Sequence, residues 1–123
     1  MKIEKGYTMT EVLIVVVVLG ALATLIIPRY AGQSERGVVA EAVAMLSNIR
    51  QAEVAYKLEN AAFTTILASL DIDTSTSTKF TFTADSVGGA TALRTPGGGT
   101  WNSTTIILDN AGNWSGTHPF RPT

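Results

Sequence analysis

An uninterrupted apolar run near the start of the chain limits what this sequence can fold into. From Val12 to Ile27 it reads VLIVVVVLGALATLII without a charge, and Pro28 and Arg29 follow. As an α-helix, the stretch from Tyr7 to Ile27 would be roughly 31 Å long, about the thickness of the apolar part of a bilayer. The run is apolar on every side, so we expect a helix that lies in lipid or among other apolar helices.

The composition of this run leaves three interpretations open. Lys2 and Lys5 before it, and the sequence Ala21-Leu22-Ala23 within it, fit a cleaved secretory signal, although apolar residues continue beyond that cleavage point. A plain membrane anchor explains the length of the run but gives no reason for the glutamate at its start. The third interpretation gives that glutamate, Glu11, a cationic partner.

Glu11 is the only charged residue between Lys5 and Arg29. A carboxylate in apolar surroundings is costly unless a cation pairs with it, and the nearby sequence lacks one. Cleavage after Gly6 would supply the cation by creating an α-amine on Tyr7. Residues four apart share one face of a helix, so this amine could meet the Glu11 carboxylate of its own chain or of a neighbour.

Residues 5–17, which read KGYTMTEVLIVVV, resemble the start of type IV pilins and type II secretion pseudopilins. Members of this family have a short basic leader ending in glycine, an aromatic first mature residue, a glutamate four residues later and a long apolar helix. This chain has Tyr7 where phenylalanine is commoner and Thr10 where an aliphatic residue is commoner.

The resemblance implies roles for particular residues. A membrane-bound prepilin peptidase would cut after Gly6 and methylate Tyr7, and Glu11 together with Tyr7 would guide assembly. Gly20 and Pro28 lie where such pilins carry residues that weaken the helix.

A second helical pattern follows Pro28, whose missing amide hydrogen predicts a bend or local break near Thr24. Apolar residues recur beyond it at steps of three and four: Val38, Ala42, Met45, Leu46, Ile49, Ala52 and Tyr56. We expect this stripe to pack on a sheet, with Arg50, Glu53 and Lys57 lying away from it.

The rest of the chain predicts a small sheet. A connector over residues 60–78 ends in a polar run of serine and threonine. Alternating residues predict strands over 79–83, 91–95 and 103–108, and a turn leads into a fourth over 113–115. The chain is therefore predicted to be α+β and, by the resemblance, to have the type IV pilin fold: a long amino-terminal helix packed on about four short antiparallel strands. The predicted layout is a leader (1–6), a membrane and filament-core helix (7–28), the amphipathic half of the helix (29–60), and a connector with the sheet-bearing head (61–123).

Few residues in this head could carry chemistry. His118 is the only histidine and the chain has no cysteine, so no zinc site or catalytic set is predicted and we expect His118 to be solvated. The sequence Pro96-Gly97-Gly98-Gly99 lacks the lysine and the helix of a phosphate-binding loop, so we interpret it as a hairpin turn. Asp71 and Asp73 are too few for a calcium site, and we interpret them as surface charge.

The aromatic residues of the head have two interpretations, a platform for sugar or single-stranded nucleic acid and the core of a small sheet. We favour the core, because few large aliphatic residues follow residue 75. The residues concerned are Phe80, Phe82, Trp101, Trp114 and Phe120. A net charge of −1 also gives no basic excess for binding a nucleic-acid backbone.

Together these observations predict a structural subunit rather than an enzyme, with no cofactor, no metal and no specific nucleic-acid partner. The resemblance implies a major pilin of a type IV pilus-like extracellular filament. It would be a cell-surface homopolymer, built from an inner-membrane precursor by the prepilin peptidase and the pilus or secretion assembly machinery. One alternative is the major pseudopilin of a type II secretion system, whose filament would be periplasmic. Another is a secreted or anchored glycan-binding domain.

Overall fold

The computed structural model describes residues 6–97 and 99–123. Residues 1–5 of the predicted leader, and Gly98 of the predicted hairpin turn, lie outside the described residues. By its internal contacts the chain divides into two compact units, Met1–Ser34 and Glu35–Thr123. Helix α1, Met9–Asn60, contributes residues to both units.

The first unit, as far as it is described, consists mainly of the first part of α1. Its large apolar side chains between Val12 and Ile27 are all half exposed or more. By length and composition, this stretch could cross a membrane. The helical backbone continues through Thr24 and Pro28, so the local break expected near Thr24 is absent from the described helix. The loss of one backbone hydrogen bond at proline is accommodated without ending the helix.

The second unit contains, within its described residues, a four-stranded antiparallel sheet whose strands follow one another in chain order. The predicted strands are confirmed, with boundaries shifted by one or two residues; the largest shift is in β3, which begins at Thr105 rather than Ser103. Ser103 has a left-handed backbone conformation, with φ at 59°, which a strand excludes. Two 3₁₀ turns flank the sheet elements, Leu67–Leu70 and Gly99–Trp101. The strands are β1 (Phe80–Ala84), β2 (Ala90–Arg94), β3 (Thr105–Leu108) and β4 (Trp114–Ser115).

One face of the sheet and one face of α1 form the core of the second unit. Phe82, Ala92 and Ile106 lie side by side across β1, β2 and β3, and all three are buried. Leu46 and Ile49 of α1 belong to the same core cluster. The expected α+β fold, a long helix packed on short antiparallel strands, is confirmed.

The buried face of α1 extends beyond the apolar stripe. It begins and ends with a carboxylate, at steps of three and four residues: Glu35, Val39, Ala42, Leu46, Ile49 and Glu53. The expectation that Glu53 lies away from the stripe is wrong, because its side chain has no exposed surface. Lys57, as expected, is exposed.

Leu46 tests the assignment of this core, since it has no exposed surface. We expect Leu46→Ala to lower the free energy of unfolding of the full chain in detergent micelles by about 2–5 kcal/mol, because lost apolar burial and the resulting cavity add together. Denaturant unfolding followed by tryptophan fluorescence measures this change. Leu58→Ala is the matched control: Leu58 is 84% exposed on the same helix, and its truncation is expected to change stability by less than about 0.5 kcal/mol. Equal losses in the two variants would contradict the assignment.

Candidate functional site

The amino-terminal end of α1 carries a capping box. The Thr8 amide donates to Oε2 of Glu11 at 2.7 Å, and the Glu11 amide donates to Oγ1 of Thr8 at 3.2 Å. This reciprocal pair satisfies two amides that have no partner within the helix. Sequence analysis missed the role of Thr8, although residues 8–11 have the Ser/Thr-x-x-Glu spacing that signals a capping box.

Tyr7 and Glu11 lie near each other, although Tyr7 is outside the helix whose face the two were predicted to share. Both line one groove on the first unit. Tyr7 is 89% exposed and precedes Met9, the first residue of the helix. Gly6 is also exposed. The Gly6–Tyr7 peptide bond therefore lies outside the helix, with an exposed residue on each side.

The packing of the chain itself does not require glycine at two of the predicted positions. A Cβ atom on Gly6 or on Gly20 would meet nothing within 4 Å among the described residues, and neither glycine has a positive φ. Glycine inside a helix costs about 1 kcal/mol relative to alanine. Contacts within the isolated chain therefore do not explain why position 20 carries glycine rather than alanine.

The surface of α1 over residues 12–27 is unpartnered. None of the most apolar stretch of the helix is buried against other described residues. Soluble monomers rarely expose an apolar surface of this extent. A surface of this kind fits burial in lipid or among other apolar helices.

The second unit contains a buried ionic cluster. Arg94 donates to Glu35 through two nitrogens, from Nε to Oε1 at 2.7 Å and from Nη2 to Oε2 at 3.0 Å. Nε2 of His118 lies 3.1 Å from the same Oε1. The expectation that His118 is solvated is wrong: its ring is fully buried, with the ring centroids of Phe80 and Phe120 at 6.1 and 5.9 Å.

The cluster keeps Glu35 ionised. Burial raises the pKa of the Glu35 carboxyl, but hydrogen bonds from Arg94 and His118, together with the positive charge of Arg94, outweigh burial and hold the pKa below its ordinary value of 4.5. Sequence analysis missed Glu35. The helical spacing could have indicated its burial, because Glu35 lies one turn before Val39 on the buried face of α1.

Two further side chains of α1 hold loops of the second unit. Oε2 of the buried Glu53 accepts the backbone amide of Thr64 at 3.1 Å. Arg50 donates from Nε and Nη2 to the carbonyl oxygen of Asn110, at 3.1 and 3.0 Å. Through these hydrogen bonds, Glu53 holds the connector against α1, and Arg50 holds the turn between β3 and β4 against the same helix.

The other candidates identified in the sequence have structural roles. Within the described part of the chain, no three His, Cys, Asp or Glu side chains form a group that could hold a metal ion. Asp73 accepts hydrogen bonds from the hydroxyl and the amide of Ser75, which lower the pKa of its carboxyl. Pro96 and Gly97 lie between the antiparallel strands β2 and β3, so the hairpin interpretation is confirmed for them.

The core interpretation of the aromatic residues is confirmed for most of them. Phe80 and Phe82 are buried, and Trp114 and Phe120 pack against the core while partly exposed. Trp101 is also partly exposed, with its ring centroid 6.0 Å from that of Phe120.

These features define a class of protein. The arrangement is pilin-like. Its long helix is apolar on all sides in the first part and amphipathic in the second, and a glutamate at its start belongs to the capping box. A small antiparallel sheet completes it. No protein-family model matches the chain.

Curated relatives narrow the class further, and three of them are each named type II secretion system core protein G. The chain is 35% identical to the relative from Aeromonas hydrophila over 68 residues, which cover 55% of this chain and 48% of the relative. It is 35% identical to that of Vibrio cholerae serotype O1 over 65 residues (53% and 44%). It is 31% identical to that of Escherichia coli strain K12 over 68 residues (55% and 47%).

The chain thus spans about half the length of the curated relatives it matches. This similarity fits the pilin and pseudopilin family, so the resemblance carried by residues 5–17 is confirmed. The fold and the relatives together support a pilin-like filament subunit.

The ionic cluster predicts a pH dependence. We expect Glu35→Gln to lower the free energy of unfolding at neutral pH by about 3–5 kcal/mol, because it leaves the Arg94 charge buried without a partner. Since the pKa of Glu35 is lowered on folding, the stabilisation is fully present above pH 4.5 and is lost as the pH falls below that value. Denaturant unfolding of both chains across this interval should therefore show the difference shrinking in acid.

Glu41→Gln is the control for this prediction, since Glu41 is exposed on the same helix. Its effect on stability is expected to be small at every pH. A Glu35→Gln chain as stable as the parent at neutral pH would show that the buried pair contributes nothing.

Proposed function

We propose that this protein is a subunit of a type II secretion pseudopilus, made as an inner-membrane precursor and assembled in the periplasm through the first part of α1. One observation carries the proposal: the apolar side chains from Val12 to Ile27 are half exposed or more, directly after Glu11. The names of the relatives favour this alternative over the major pilin of an extracellular type IV pilus. The subunit is structural, with no enzymatic activity and no cofactor.

Processing follows from the start of the chain. The prepilin peptidase would cut the exposed bond between Gly6 and Tyr7 and methylate the new amine. The exposure of both residues outside the helix supports access by an enzyme. The absence of any packing constraint at Gly6 supports selection of glycine by that enzyme rather than by the fold. The boundaries predicted for the leader and for the two halves of the helix stay predictions.

Assembly would use the carboxylate of Glu11. In the described chain, Oε2 of this carboxylate accepts the Thr8 amide. Oε1 would accept the Tyr7 amine of a neighbouring subunit while the capping box stays closed. A desolvated pair of this kind adds little net affinity against an apolar substitute, but removing one partner costs about 3–5 kcal/mol. Glu11 would therefore determine the register of neighbouring subunits rather than the bulk of their affinity.

Packing between helices would supply the rest of the assembly energy. An apolar helix that moves from lipid to a bundle of identical helices changes its apolar burial little, so close approach of backbones matters more. Gly20, Ala21 and Ala23 provide small side chains in the middle of the run. Gly20 and Pro28 would also let the helix stretch or loosen within the filament.

The partners proposed are identical subunits, the prepilin peptidase, the secretion assembly machinery of the inner membrane, and the membrane itself before assembly. No specific nucleic acid is among them. The burial of Phe80 and Phe82 removes two members of the aromatic platform that a glycan-binding domain would use.

The Glu11 proposal predicts an assembly defect. We expect Glu11→Ala to enter the membrane at the parental level but to lose filament assembly or slow it strongly, because the neighbouring amine keeps no carboxylate partner. Immunoblots of the membrane fraction measure entry into the membrane, and crosslinking between subunits in intact cells measures the yield of the periplasmic filament. Glu59→Ala removes the same charge from the exposed last turn of α1 and should assemble normally. Parental filament yield from Glu11→Ala would refute the proposed role.

The processing proposal predicts a change in mass. We expect Gly6→Leu to keep residues 1–6, because a bulky side chain before the scissile bond hinders the peptidase. Intact-mass measurement of the purified protein distinguishes methylated Tyr7 from Thr24, the signal-peptide outcome, and from Met1, the plain-anchor outcome. Gly37→Leu is the control, since a Cβ there meets nothing within 4 Å and processing should be unaffected. A Gly6→Leu chain that still begins at Tyr7 would reject the cleavage proposal.

A further inference from the structure

The two ring nitrogens of His118 have different partners. The Phe120 amide donates to Nδ1 at 3.2 Å, so Nδ1 is an acceptor and carries no hydrogen. Nε2 therefore carries the ring hydrogen and donates it to Oε1 of Glu35 at 3.1 Å. This arrangement requires the neutral imidazole in its Nε2–H tautomer.

The charges around this histidine balance poorly once its ring is charged. Glu35 faces it from α1, and Arg94 of β2 already forms a bidentate pair with that carboxylate. Arg36 of α1 lies over the ring of Phe120, 4.8 Å from its centroid, and Arg121 donates to the histidine carbonyl at 3.3 Å. A proton on the ring would add a second cation beside a carboxylate that Arg94 already pairs, with Arg36 and Arg121 near the same strap. Burial makes that excess charge costly.

Protonation would also remove a hydrogen bond. With a hydrogen on both nitrogens, Nδ1 and the Phe120 amide would face each other as two donors, and their contact would be lost. The bonds just before His118 do not involve a titratable side chain: the Thr105 amide donates to Oγ1 of Thr117, and the His118 amide donates to the Thr105 carbonyl. The chain is therefore held up to His118 by neutral groups, whereas the hydrogen bond of the Phe120 amide depends on the neutral ring.

We propose that residues 118–123 form a strap that acid releases: protonation of His118 breaks its bond to the Phe120 amide and frees Phe120 from Trp101, while the sheet stays folded. The trigger is the histidine ring, and the element with two positions is the strap. Histidine ordinarily titrates between about pH 5 and pH 8, well above the interval in which Glu35 loses its charge. The inference concerns the unassembled chain and is independent of whether the protein forms a pseudopilus.

A single histidine makes the test direct. In the full chain, isotope-labelled and held in detergent micelles, long-range nitrogen–proton NMR spectra report the tautomer and protonation of His118. We expect the Nε2–H tautomer at neutral pH. In spectra recorded at about pH 5, we expect a protonated ring to be accompanied by an about tenfold faster hydrogen exchange of the Phe120 amide after correction for its intrinsic rate. The exchange of the Ala92 amide, in the middle of β2, should stay unchanged and so exclude general unfolding.

His118→Gln is the matched variant, because a glutamine amide can donate to Glu35 but does not titrate. We expect its Phe120 amide exchange, once corrected, to be the same at both pH values, whether the strap is held or already free. Three results would overturn the proposal: an Nδ1–H tautomer at neutral pH, a histidine still neutral at about pH 5, or a protonated histidine with Phe120 exchange unchanged. An equal pH response in His118→Gln would also overturn it.

Discussion

The first part of helix α1 is not buried by the described residues of the chain that carries it. Its large apolar side chains from Val12 to Ile27 are all half exposed or more. The proposed membrane insertion and assembly both follow from the need to cover the apolar surface of residues 12–27 with groups from outside the chain. Lipid and identical helices serve this need almost equally well, which is why such a subunit can exchange one for the other. In the proposed assembly, the few polar groups at the start of the helix determine how neighbouring chains align.

Two carboxylates of α1 illustrate opposite uses of the same side chain. Glu35 receives a bidentate arginine and a histidine from its own chain, and its charge is fully matched where it lies. Glu11 receives only a backbone amide, and its remaining capacity to accept hydrogen bonds suits it for a partner from outside. The first carboxylate fixes a tertiary structure, and the second is suited to quaternary structure.

The helix and the strands could be predicted from the sequence, because the spacing of apolar residues that indicates each element lies within a short stretch of chain. The apolar steps from Val38 to Tyr56 predicted a helix face, and the alternation in residues 79–83 predicted a strand. The ionic cluster could not be predicted in this way, since Arg94 and His118 lie 59 and 83 residues from Glu35 along the chain. Charged residue types predict exposure on average, so Glu53 and His118 were assigned to solvent. Both side chains are buried instead, because residues distant in the sequence supply their hydrogen-bond partners. At the proposed assembly site, the motif predicted Tyr7 and Glu11, whereas the role of Thr8 required hydrogen-bond geometry.

The chain order of the strands bears on how this protein is made. Each strand of the described sheet pairs with the strand that comes before or after it, so no pairing waits for a distant segment. Chains rich in such local contacts tend to fold quickly, because little loop entropy is lost before each contact forms. Hairpins of this kind can close one after another as the polypeptide emerges, which shortens the time during which apolar strands are open to wrong pairing. In the proposed precursor, whose first helix lies in lipid until assembly, a sheet that forms early leaves few apolar strands exposed.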